Sequence, residues 1–115
     1  MRIAIISYAK VLHELGRFKD EIDLLLNFED RIQTAQFYYI LGRAFQNDGD
    51  KLKALLTFVK VTQMKDFDSL GEDAYDTFVR IMTLHSENGN KEGLIHFKER
   101  MAAYGQAHGR EIVFN

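Results

Sequence analysis

Along this chain, apolar residues return at steps of three and four. Ile5, Tyr8-Ala9 and Leu12 form one stripe, and Phe18, Ile22 and Leu25-Leu26 form a second. Phe37, Leu41 and Ala44-Phe45, then Ala54, Phe58 and Val61, repeat the arrangement. Tyr75, Phe78, Met82 and His85, followed by Leu94, Phe97, Met101 and Tyr104, give it a third time. That spacing is the period of a helix and not the alternation of a strand. It predicts six helices in three antiparallel pairs.

Each pair is interrupted by a glycine in the same setting: His13-Glu14-Leu15-Gly16, Asn47-Asp48-Gly49 and Glu87-Asn88-Gly89. Glycine takes the positive φ that ends a helix without a Cβ clash. Asp50 and Asn90 follow at once, placed to cap the next helix. Thr34 offers a cap before Phe37, and Ser69-Leu70-Gly71-Glu72 has the S-x-x-E form of a capping box, which predicts a helix start near residue 70. The turn glycines lie 33 and then 40 residues apart, a period that belongs to helical-repeat arrays. Gly42 fits such an array. Inside a helix it costs about 1 kcal/mol relative to alanine, and a close helix crossing would offset that. Ala54 is the expected small residue opposite, with Tyr38, Leu41, Phe45 and Phe58 packed around it.

Composition narrows the function classes more than the fold. A length of 115 residues is one domain's worth, with a modest core. The absence of proline favours uninterrupted helices, and the absence of cysteine excludes disulfides and thiolate metal sites. With 28% charged residues and a formal net charge of −2, there is no electrostatic footprint for a nucleic acid or an anionic membrane. No apolar run approaches the roughly 20 residues of a membrane span. The run Ile3 to Ala9 lies at the short edge of a signal-peptide core, without a cleavage site after it. These features lead us to expect a soluble, intracellular, cytoplasmic chain with no membrane partner.

Residues 35 to 67 resemble a tetratricopeptide repeat: Tyr38, Leu41-Gly42, Phe45, Gly49-Asp50, Ala54 and Phe58 stand at that family's spacing. Tyr8-Ala9, Leu12, Gly16, Phe18 and Leu25 resemble a further unit, with Glu21 where the second has Ala54; Phe78, Met82, Gly89 and Leu94 resemble another, with Met82 in the place of Gly42. The family's inter-repeat proline is missing throughout. The resemblance implies an all-α fold of three antiparallel helix pairs, stacked as a short right-handed α–α superhelix. It implies one domain over residues 1–115, with repeats at about 2–34, 35–68 and 70–106 and a tail at 107–115.

In that family the first helices line a groove that holds a partner peptide. The resemblance therefore places Ile3, Ile6, Lys10, Tyr39, Ile40, Arg43, Asn47, Val79, Arg80 and Thr83 on the groove, with Lys10, Tyr39, Ile40, Arg43, Asn47 and Arg80 as the peptide-binding set. Lys10, Arg43 and Arg80, one from each repeat, would steer and hold an acidic peptide or a C-terminal carboxylate. The plain alternative is that they are solvated helix charges paired with neighbours such as Glu14 or Glu87. A chaperone clamp of lysines, asparagines and arginine is not matched. Arg80 fits it, but Ile6 and Asp76 stand where lysines are expected, and Lys10 and Ile40 where asparagines are.

The C-terminal third, with Ala74-Tyr75-Asp76-Thr77-Phe78-Val79, Gly89, Phe97, Met101, Gly105 and Ile112-Val113-Phe114-Asn115, also resembles a pentatricopeptide repeat. That resemblance would make Tyr39 and Asp76, with Gly71 and Arg110 as repeat-end partners, readers of single-stranded RNA, with Asn115 a further residue to test. A sensor or dimerisation domain of a bacterial transcription regulator is a third reading. The apolar ending after Gly109 resembles the start of another unit, which suggests a homodimer or a larger parent array.

Catalytic chemistry finds no motif. His13, His85, His96 and His108 form no H-E-x-x-H pair, and no nucleophile elbow, phosphate loop or carboxylate pair stands out. His85 falls on an apolar stripe, as a core histidine would. Asp20, Glu21 and Asp23 look like a solvated outer face, and no calcium loop surrounds them. The expectation is a non-enzymatic protein-binding module with no cofactor and no metal.

Overall fold

The computed structural model describes residues 2–114, with side chains from residue 4 onward; the groove expectation at the Ile3 side chain and the RNA expectation at Asn115 fall outside what is described. The elements run α1 (Arg2–Glu14), α2 (Phe18–Asn27), α3 (Ala35–Asn47), α4 (Lys51–Thr62), a 3-10 turn (Phe67–Leu70), α5 (Glu72–Glu87) and α6 (Lys91–Ala107). Each helix packs on its neighbours in chain order. The fold is all-helical: three antiparallel pairs stack one on the next, as in helical-repeat proteins.

The punctuation works as its chemistry requires. Gly16, Gly49 and Gly89 sit at φ 72°, 89° and 70°, the left-handed turn that lets the chain reverse between paired helices. Thr34 Oγ1 accepts the Phe37 amide at 3.2 Å, Asp50 the Lys53 amide at 3.2 Å and Asn90 the Gly93 amide at 2.9 Å. The capping box at Ser69 does not form. The chain there turns through a 3-10 segment, the Ser69 hydroxyl donates to the Asp66 carbonyl at 2.6 Å, and α5 begins at Glu72 with no side-chain cap. Asp66 does capping work elsewhere. Its carboxylate accepts the Ala35 amide at 3.2 and 3.0 Å, tying the second inter-pair linker to the start of α3.

The core runs through all three pairs and is anchored by Phe37, Phe58 and Phe78, each almost wholly buried. Phe67 meets Phe78 edge to face at 5.5 Å, so the linker between pairs two and three is packed as firmly as the helices. Gly42 is explained by Phe58 and not by Ala54. A Cβ on Gly42 would fall 2.7, 2.9 and 3.0 Å from three atoms of the Phe58 ring. The ring occupies the space that a side chain at residue 42 would need, and its burial offsets the glycine's cost to the helix.

The ending 110–114 is not the start of another helix. After Gly109 (φ 72°) the chain folds back on α6, and Ile112 packs where a Cβ on Gly105 would otherwise stand. Arg110 holds this return in place. Its guanidinium lies 4.2 Å from the Tyr75 ring centre and bonds both carboxylate oxygens of Glu72 at 2.9 and 3.0 Å. Beside it, Tyr104 donates to Asp68 at 3.0 Å and has its hydroxyl pushed up to about 12, by burial first and that carboxylate second.

Candidate functional site

Helices α1, α3 and α5 are the first members of their pairs, and side chains join them laterally. Between α3 and α5 the Tyr39 hydroxyl donates to Asp76, whose carboxylate also accepts Arg80 Nε at 2.6 Å. Arg80 Nη1 then donates to Gln46 Oε1 at 2.8 Å, returning the chain of bonds to α3. Burial pushes the Asp76 carboxyl up, but the bonds from Tyr39 and Arg80 and the charges of Arg80 and Arg43 outweigh it and hold the group below its usual range. The Tyr39 hydroxyl is pushed well above the ordinary phenol value, by burial first and Asp76 second.

Between α1 and α3 the link is His13. Its Nδ1 lies 3.0 Å from Glu21 Oε1, and its Nε2 lies 3.4 Å from both Arg43 Nη2 and Asn47 Nδ2. The tautomer that donates from Nδ1 and accepts at Nε2 satisfies all three contacts. Glu21 is therefore not part of a solvated outer face: it is 0% exposed. Burial raises its carboxyl above the usual value, against the opposing pull of His13 and then Arg43. Two atoms in this cluster have no hydrogen-bond partner in the protein, Glu21 Oε2 and Arg43 Nε. Both residues line a cavity of about 180 Å³, together with Lys10, His13, Glu14 and Ile40.

The peptide-binding set expected from the sequence is thus divided. Lys10 and Asn47 are exposed, and Lys10 has no salt-bridge partner among the described residues. Tyr39 and Ile40 are only 5% and 7% exposed, so neither projects as a groove anchor; the Tyr39 ring packs 6.2 Å from Phe58, and only its hydroxyl reaches the polar network. Ile6 is buried as well, whereas Val79 and Thr83 are exposed along α5. Arg80 is committed to Asp76 and Gln46, and Arg43 is half-buried over the Tyr39 ring, with its guanidinium carbon 5.8 Å from the centroid. Three unencumbered cations on one wall are not what this geometry offers.

His13, Glu21, Gln46 and Asp76 organise the wall, and none stood in that set. One signal was present. Glu21 occupies the position that is Ala54 in the second pair, where the repeat pattern asks for a small residue, and a carboxylate there must find a buried partner. The other histidines are dispersed. His85 stacks on Phe97 at 5.7 Å and fills the space above Gly93, while His108 stacks on Tyr104 at 4.1 Å. No helix among the described residues is long and apolar enough to cross a membrane. Comparison with protein-family models, with curated proteins and with solved structures finds no match to this chain.

Proposed function

We propose that the chain is a non-enzymatic interaction module of the tetratricopeptide kind, which binds an extended segment of a partner protein along the wall formed by α1, α3 and α5. The observation that carries this reading is the lateral bonding of the first helices, α1 to α3 through His13 and α3 to α5 through Tyr39, Asp76, Arg80 and Gln46. A wall braced in this way is preorganised, so a partner does not have to order it on binding. Its exposed side chains (Lys10, Asn47, Val79 and Thr83) mix one charge, one amide, one apolar group and one hydroxyl. That mixture suits a peptide held by shape and a few polar contacts. It does not favour a strongly acidic one, because Arg43 and Arg80 are already engaged. The RNA reading draws no support from these contacts, since Tyr39 and Asp76 bond each other and leave no edge for a base.

The test is a peptide-display selection on the purified chain, followed by calorimetric titration of the selected peptides. Lys10→Ala with Asn47→Ala should weaken binding at least tenfold, and Lys53→Ala on α4 should leave it unchanged. Equal loss from both would place the interface elsewhere.

A further inference from the structure

We infer that the outward face of α1 is a self-association surface, on which two copies of the chain pair their first helices antiparallel across a two-fold axis near Val11.

Helix α1 carries two apolar stripes. Ile6, Ala9 and Leu12 are buried against the rest of the chain. Ala4, Tyr8, Val11 and Leu15 are exposed, the last three each by more than half. The Leu15 amide donates to the Val11 carbonyl at 3.1 Å, so the helical turn carries through to Leu15. Single exposed apolar residues are ordinary, but steps of four, three and four are the spacing of a helix–helix seam. A hollow of about 240 Å³ opens along this stripe, lined by Lys10, Val11, Glu14 and Leu15.

Charge names the occupant. Lys10 and Glu14 stand along one edge of the stripe, both exposed and neither in a salt bridge among the described residues. A lysine four residues before a glutamate is the weaker order for a pair on one helix, so both charges are open to a partner. In an antiparallel pair, an axis between Val11 and Leu12 sets Tyr8 opposite Leu15 of the other copy and Val11 beside its own counterpart. Lys10 then falls within one residue of Glu14 of the other copy, about 1.5 Å along the helix. The rotation keeps this edge of both helices on the same side, so the contact is made twice. The exposed apolar face of α4 lacks this property. Leu52 and Leu56 stand there among Lys51, Lys53 and Lys60, and the helix has no acidic residue. Two copies of α4 would set lysine against lysine, which disfavours pairing.

One helix face is smaller than the roughly 800 Å² per partner of a standard interface, so the pairing is weak and depends on concentration. The exposed ion pairs set register more than affinity. Lys10 and Glu14 also line the cavity beside His13 and Arg43, so the paired copies present their first-helix walls on one side. The inference does not rest on peptide binding by those walls.

The experiment is sedimentation velocity of the whole chain up to about 1 mM, with ¹H–¹⁵N NMR spectra over the same range. A monomer–dimer equilibrium is expected, with concentration-dependent shifts at the amides of Tyr8, Val11 and Leu15. Val11→Asp sets two carboxylates side by side at the axis and should weaken association about tenfold or more. Leu56→Asp on α4 should change nothing. Lys10→Glu and Glu14→Lys should each self-associate about fivefold more weakly. An equimolar mixture of those two variants should recover the wild-type affinity, because each chain supplies the charge that the other lacks. A chain still monomeric at about 1 mM, a dimer that survives Val11→Asp, or a mixture no tighter than its components would overturn the inference.

Discussion

Helix α3 takes part in two polar junctions, one on each side, and they are built to opposite specifications. Toward α5, Asp76 accepts from Tyr39 and from Arg80, and Arg80 donates onward to Gln46. Toward α1, His13 is interposed between Glu21 and Arg43, and each of those charged groups keeps one buried atom without a partner. The first junction is a closed bracket, and the second is an open one beside a cavity. The difference follows from the residues in the middle. A carboxylate in direct contact with a guanidinium uses its lone pairs on strong charge-assisted bonds, whereas an imidazole has only one donor and one acceptor to share between two charged neighbours. The closed junction satisfies its charged groups, and the open one leaves a buried acceptor and a buried donor unpaired.

Both junctions hang on α3, so displacing that helix should disturb them together. Phe58→Ala removes the ring that lies on Gly42 and packs against Tyr39. Deleting a fully buried phenylalanine costs about 3–5 kcal/mol. Urea unfolding should show that loss, and the NMR signals of His13 and Arg80 should both shift. A shift at only one junction would mean that α3 is not their common support.

Asp76→Ala should come next, and it should act on the closed junction alone. It leaves the Tyr39 hydroxyl and Arg80 without their shared acceptor, at a cost of about 1–3 kcal/mol. The pH dependence has a definite sign. The Asp76 carboxyl is held below its ordinary 3.8 in the folded state. Its stabilisation is therefore present above that value and is lost as pH falls through the folded-state value. Relative to Asp76→Asn, the wild type should lose its advantage on acidification.

Gly42→Ala tests the crossing more gently. The new Cβ would stand 2.7 Å from the Phe58 ring, and forcing a packed aromatic aside costs about 1–3 kcal/mol. The gain in helix propensity returns roughly 1 kcal/mol of that. A net loss of stability is expected in thermal unfolding. A net gain would show that the Phe58 ring yields freely, and that the glycine serves no packing role.

The helices, their turns and three of their caps were legible because they depend on local chemistry: apolar spacing, a glycine at positive φ, and a short polar side chain ahead of a helix. Ser69 misled because the same S-x-x-E letters suit a capping box and a 3-10 turn. The choice between them was made by Phe67, whose burial against Phe78 pulls the segment inward. Asp66 as the cap of Ala35 was invisible for a different reason: its partner lies 31 residues away. The face of the first helices was legible as a set of positions and not as a set of exposed side chains. A projection onto first helices finds Lys10 and Asn47, but it cannot see that Tyr39 turns its ring into the core and that Arg80 is already bonded. Glu21 is the instructive case. An acidic residue flanked by Asp20 and Asp23 looks like outer surface, and only its place in the pair, the one that Ala54 holds in the next, says that it is inside.

Glu21→Gln gives the smallest effect on stability and sharpens the comparison most. The substitution keeps the size of the side chain and a bond to His13, so stability near neutral pH should change by no more than about 1 kcal/mol. The pH profile is where the junctions part. Burial raises the folded-state carboxyl of Glu21 above its ordinary 4.5, and His13 and Arg43 offset this only in part. A raised carboxyl favours the folded state below the unfolded value, and that contribution is lost as pH rises through the folded-state value. The wild type should therefore lose ground to Glu21→Gln as pH rises, the reverse of its behaviour against Asp76→Asn. Urea unfolding of the three proteins across the carboxylate range reads both signs in one experiment. Parallel profiles for Glu21 and Asp76 would mean that the open junction holds its carboxylate as well as the closed one does. Opposite slopes would show that α3 is flanked by a carboxylate of α5 that is stabilised as an anion and by one of α2 that is destabilised as an anion.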